Sequence, residues 1–146
     1  LIEFDAAERN LARKLGIGLT YRPATMEENI SLKNWLSTTD ALELLIGYNE
    51  IGDSTTFSLE GRFSRVFLNE GGQDLFFGAG AGFVSGEDDK GDEERGTLFR
   101  VFTGAEFFPV TYPNVGLSIE LGLRRLQGVG DTQQGFYNGL AARYYF

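Results

Sequence analysis

The chain contains no cysteine and no histidine. The first absence rules out a disulfide framework and a thiolate metal site. The second removes the usual general base, the usual neutral metal ligand and every Ser/His/Asp or Cys/His arrangement. Long apolar runs are missing too. The densest stretch, Ala41 to Tyr48, is cut by Glu43 and falls well short of the roughly 18 residues of a transmembrane helix. That does not exclude a membrane strand, which needs only about 10 residues of alternating polarity. Basic charge is scarce: 13 Lys and Arg stand against 21 Asp and Glu, a net charge of −8. Phosphate binding needs clustered cations, so a nucleic-acid partner is not expected.

What the chain does have is glycine and aromatics. Its 20 Gly, 13 Phe and 6 Tyr, set against 3 Pro, favour aromatic strands punctuated by glycine over helices. With 146 residues, one domain is expected. Segments alternating with a period of two lie at 14–22, 30–37, 41–49, 55–68, 75–85, 98–109, 115–126 and 136–146, and they read as strands. Short connections at 38–40, 69–72 and 111–114 mark one end, and longer ones at 23–29, 50–54, 86–96 and 127–135 the other. The fold class expected is therefore all-β, an eight-stranded antiparallel up-and-down barrel spanning 14–146. An even strand count puts both termini at the short-turn end. Residues 1–13 read either as a leader into the first strand or, from the spacing of Ala7, Leu11 and Leu15, as a short interfacial helix. The first residue is Leu1, and the expectation is a processed or trimmed form whose export signal has been removed.

The two faces of these strands differ in kind. One parity carries Leu15, Ile17, Leu19, Leu42, Leu44, Ile46, Leu117, Ile119, Leu121 and Leu123. Aromatics sit toward its strand ends: Tyr21, Tyr48, Phe57, Phe83 and Phe99 at the loop end, and Phe67, Phe77, Phe107, Tyr144 and Phe146 at the turn end. Aromatic girdles of this kind mark membrane interfaces. The other parity carries Gly16, Gly18, Gly47, Gly78, Gly80, Gly82, Gly104, Gly122 and Gly139. Small residues suit the inner wall of a tight barrel, where eight strands leave room only for side chains. The apolar face is thus expected to face lipid. Trp35 falls on the inward parity and Asn34 on the outward one, which a β-bulge shifting the register would repair. Arg65 and Arg125 share the outward parity near strand ends, where long side chains can snorkel.

The inward parity also holds Glu43, Glu60, Glu106 and Glu120 with Arg62, Arg100, Arg124 and Arg143. Unpaired buried charges cost several kcal/mol, so the balance predicts an ion-paired network across the lumen. It reads either as a structural polar core or as a gated conduit. The acidic loop 86–96 offers Asp88, Asp89, Asp92 and Glu93 as a weak metal candidate, but it lacks the EF-hand spacing. It reads otherwise as a solvated charge run, or as a bridge through divalent cations to lipopolysaccharide phosphates. The Gly78 to Gly82 repeat lies within a strand and is no phosphate-cradling loop. No cofactor and no catalytic residue are expected.

The terminal run Asn138 to Phe146, with Leu140, Ala142, Tyr144 and Phe146 alternating, resembles the last-strand signature of bacterial outer-membrane barrels. Residues 32–37, a tight turn, then 41–48 resemble a hairpin of small barrels of the OmpX and OmpA transmembrane type. The resemblance implies localisation in the bacterial outer membrane and recognition of Leu140, Ala142, Tyr144 and Phe146 by the barrel-assembly machinery. It also implies contact with outer-membrane lipid and lipopolysaccharide, and a monomer. With Phe146 last, no appended peptidoglycan-binding domain is expected. Lipid A deacylase and palmitoyltransferase barrels of similar form use a catalytic histidine that this sequence lacks. The role expected is structural or surface-interactive. The alternatives are a soluble lipocalin-like carrier with its apolar face inward and a small passive channel.

Overall fold

A computed structural model of the chain describes residues 15–51, 54–87, 93–128 and 132–146. The alternation of period two produces eight strands: β1 (Leu15–Arg22), β2 (Glu27–Trp35), β3 (Asp40–Ile51), β4 (Ser54–Glu70), β5 (Gln73–Glu87), β6 (Glu93–Phe107), β7 (Val115–Gln127) and β8 (Gln133–Tyr145). Each pairs antiparallel with the next, and β8 pairs back onto β1 to close the barrel. At the seam, the Phe146 N–H donates to the Leu15 carbonyl at 2.9 Å. Closure leaves no sheet edge with unpaired backbone groups.

The strands run further toward the loop end than the sequence pattern indicates. β6 starts at Glu93 because its ladder continues to the Glu87–Glu93 pair. β2 starts at Glu27, paired with Arg22, after a reversal in which Met26 takes φ of 54°. At the other end, β4 and β5 are joined through Gly71 and Gly72, with φ of 56° and 79°. Positive φ at both central residues is the hairpin geometry that matches strand twist, and glycine adopts it without steric cost. The candidate helix or leader at 1–13 and the acidic positions Asp88, Asp89 and Asp92 lie outside the described residues.

The inside and outside of the barrel divide by parity. Outward-facing Leu19, Leu121, Ile119, Val101 and Phe83 are more than half exposed. The soluble-carrier alternative required these side chains inside, so the structure corrects it. Trp35 requires a second correction. No bulge shifts β2: its register with β1 and β3 is continuous through Asn34 and Trp35. Trp35 points inward and is buried with Ala41, Val66, Phe76, Phe102, Tyr137 and Tyr145. The register shift lies instead in β4, between Val66 and Leu68.

These interior rings account for the glycine-rich wall. A Cβ on Gly78 would lie 2.6 Å from the Phe102 ring, one on Gly104 2.7 Å from Phe76, one on Gly122 2.7 Å from Tyr137 and one on Gly16 2.6 Å from Tyr145. Each glycine leaves the space into which a large side chain on the neighbouring strand lies down. Gly61 is the contrast, since it faces outward and a Cβ there meets nothing within 4 Å. Gly78→Val should therefore lower the unfolding free energy by at least about 1–3 kcal/mol through overpacking, while Gly61→Ala should stay within about 0.5 kcal/mol of the parent. Urea titration of the refolded protein, read by the fluorescence of its single tryptophan, compares them directly.

Candidate functional site

The polar lumen is the candidate site. β2, β3, β4, β6, β7 and β8 each aim at least one charged side chain at the axis, because inward positions recur every second residue. The resulting contacts cross the barrel. Lys33 on β2 reaches Glu106 on β6 at 3.0 Å. Glu106 receives Arg143 from β8 at 3.2 Å, and Arg143 reaches Glu43 on β3. Glu43 lies 3.4 Å from Arg62 on β4, which donates to Glu120 on β7. Arg62 also lies 4.0 Å from Glu60, and Glu60 accepts from Arg100 of β6 at 2.8 Å. Arg100 then reaches Glu27 at 3.0 Å, and Glu27 lies 3.4 Å from Arg124. One unbroken chain of charges thus runs from the Trp35 end to the loop end.

Hydroxyls and rings complete it. The Tyr145 hydroxyl donates to Glu106 at 2.7 Å, and the Tyr137 hydroxyl to Glu120 at 2.6 Å. Arg143 donates to Ser118 at 3.0 Å and to Ser31 at 2.9 Å, and Ser31 in turn donates to Glu43. Cations lie against aromatic faces, with Lys33 4.6 Å from the Trp35 ring centre, Arg62 3.9 Å from Phe102 and Arg100 4.6 Å from Tyr137. Such contacts strengthen where the cation is desolvated, as here, where Lys33 is 4% and Arg100 2% exposed.

The eight charged residues singled out by parity, Glu43, Glu60, Arg62, Arg100, Glu106, Glu120, Arg124 and Arg143, all point into the lumen, and each touches an opposite charge. Sequence reasoning missed Arg22, Lys33, Glu27 and Asp74. Arg22 and Lys33 had the signal: they share inward parity with Thr20 and Ser31. Glu27 had none, because it fell within a segment read as loop. In the structure it begins β2 and takes Arg22 at 3.1 Å as well as Arg100 and Arg124. Asp74 is buried and accepts from Asn69.

The remaining candidates lie elsewhere. Leu140, Tyr144 and Phe146 are about half exposed on the outside of the barrel, beside the outward Ala142, and the Tyr144 and Phe146 rings lie 6.2 Å apart. Glu93, at the loop end, bonds Arg95 at 3.2 Å and Ser85 at 3.3 Å. Among the described residues no cluster of three or more acidic groups could hold a metal ion. Above Glu60 and Arg100, where the network meets the loop end, a cavity of about 380 Å³ opens. Outward Arg65 makes a two-pronged contact with Asp40 at 2.7 and 2.8 Å.

No family model matches the chain, and no curated protein matches it. Solved structures do. The N-terminal β-barrel domain of Pseudomonas aeruginosa OprF superposes with a TM-score of 0.66 at 16% identity, covering 92% of this chain and 97% of that one. Neisserial surface protein A gives 0.53 at 14% identity, covering 91% and 94%. The outer membrane enzyme PagL gives 0.50 at 14% identity, covering 91% and 99%. The fold is that of the small eight-stranded outer-membrane barrels.

The geometry ranks the charges by what their loss leaves behind. Arg62→Ala removes the cation paired with Glu120 and one of the two paired with Glu43 in a sealed environment, and should cost about 3–5 kcal/mol. Arg124→Ala, at the open cup, should cost about 1 kcal/mol or less. Equal effects in urea titrations would show that the charge chain does not carry the stability of the lumen.

Proposed function

We propose that this chain is an integral protein of the bacterial outer membrane, a monomer that neither conducts nor catalyses. It acts through its presence in the bilayer and through the loops at one end: envelope integrity, surface contact or adhesion. The observation that carries the reading is the inversion of the barrel, with apolar side chains out and a continuous chain of ion pairs across the inside. Such a surface needs a bilayer around it. The aromatic side chains near both ends, including Tyr48 opposite Phe57 and the Phe67–Phe77 pair at 5.9 Å, suit the two headgroup layers.

The lumen supports a structural core over a conduit. Eight strands enclose little more than their own side chains, and the ion pairs join β2 to β6, β3 to β8 and β4 to β7 across the space a solute would use. For catalysis, a shared fold transfers no activity, because chemistry resides in particular residues. These 146 residues contain no histidine to activate a nucleophile. Partners in this reading are membrane lipid, lipopolysaccharide at the loop end and, during biogenesis, the assembly machinery that reads Leu140, Ala142, Tyr144 and Phe146.

Refolded into detergent, the protein should migrate differently on electrophoresis before and after boiling, and should need detergent to stay monodisperse. In planar bilayers it should produce no stepwise conductance; regular steps would favour the passive channel. Replacing Tyr144 and Phe146 together by Ser should lower the yield of heat-modifiable protein in cells, while leaving refolding in detergent close to that of the parent.

A further inference from the structure

The charge chain loses its balance at the loop end. The cavity of about 380 Å³ there is lined, among the described residues, by Arg22, Arg100 and Arg124 against Glu27 and Glu60, one cation more than acids. Each guanidinium carries five N–H donors, and a carboxylate offers about four lone-pair directions. Glu27 already serves all three arginines, at 3.1, 3.0 and 3.4 Å, and Glu60 serves Arg22 at 3.7 Å and Arg100 at 2.8 Å. Donors remain over. Nη2 of Arg22 and Nη1 of Arg100 have no hydrogen-bond partner among the described residues, although Arg22 and Arg100 are only 3% and 2% exposed. The Thr25 hydroxyl, in the same lining, also lacks one. A buried charged donor without an acceptor is costly; Glu60 Oε2 is also without a hydrogen bond, so the imbalance here lies in net charge, three arginines against two glutamates among the described lining residues.

Leu98 and Leu126 supply an apolar wall to the same cavity. Its volume falls in the lower part of the range that holds small organic ligands. We infer that this cup binds a small organic carboxylate, with the anionic end on the Arg22, Arg100 and Arg124 guanidiniums and the apolar body against Leu98 and Leu126. The single excess positive charge matches a monoanion, and the planar guanidinium fork matches a carboxylate. The apolar wall favours an organic body over inorganic phosphate. Glu27 competes with the ligand for the same donors, so it tunes the affinity downward.

The test uses the full chain refolded in a neutral detergent at physiological ionic strength, where the field of nearby acids such as Glu87 and Glu93 is screened beyond about 8 Å. Fluorine NMR follows para-fluorobenzoate, its neutral analogue para-fluorobenzamide, and inorganic phosphate as a competitor. Saturable broadening of the benzoate alone, weakly displaced by phosphate, is the expected result. Arg124→Gln should weaken binding at least about tenfold, the size expected for one charge-assisted hydrogen bond, while Glu27→Gln should tighten it. Arg65→Gln, at the turn end, should leave it unchanged, and heat-modifiability checks that each variant is folded. Four outcomes would overturn the inference: benzoate and benzamide binding alike, phosphate displacing benzoate stoichiometrically, Glu27→Gln weakening binding, or no saturable signal up to about 10 mM.

Discussion

Every charge that points into this barrel has to find its counter-charge inside it. Eight strands leave an interior just wide enough for side chains, so bulk water cannot do the work, and an uncompensated ion would cost several kcal/mol. The consequence is a chain of contacts from Lys33 through Glu106, Arg143, Glu43, Arg62, Glu60 and Arg100 to Glu27 and Arg124. Because links such as Lys33–Glu106 and Arg143–Glu43 join strands that are not neighbours in the sheet, the same contacts that neutralise charge also brace the wall. The hydroxyls of Ser31, Ser118, Tyr137 and Tyr145 supply hydrogen bonds that the ions alone leave unmade.

Filling the lumen with long arginines, glutamates and rings has a cost on the wall itself. Glycine and serine occupy the positions over which those groups lie. Gly80 sits beside the Arg62 stem at 2.9 Å and Gly18 beside Arg143 at 2.7 Å, each measured to a Cβ that is not there. The glycines would weaken a strand in isolation. Closure of the sheet compensates, since both neighbours of each strand hold its backbone. The apolar outer face follows from the same alternation: with polar groups committed to the inside, Leu, Ile, Val and Phe are left to face out. The compared barrels share the fold at identities of only 14–16%.

Parity carried most of what could be read in advance, and its limits explain the misses. Trp35 looked misplaced because a large aromatic was expected outside; in fact it belongs to an inner cluster with Phe76 and Tyr145, and no bulge is needed. Lys33 was passed over beside it, although it lies on the same face. Glu27 could not be found by pattern at all. Only the reversal at Met26 and the pairing of Glu27 with Arg22 bring it over the lumen, where three arginines converge on it.

The sequence by itself determined the number of strands, their direction, and which side chains go in or out, because a period of two is a local property of the extended chain and survives without knowledge of partners. It also determined that these 146 residues supply no imidazole and no thiolate, since composition alone decides that. Only the tertiary structure decided which acid meets which base, where the glycines make room, and that three arginines gather on two glutamates at the loop end. Those depend on closure and register, which set distances between residues as far apart as Lys33 and Glu106 or Glu27 and Arg124. Long-range distances of that kind are written in no single segment.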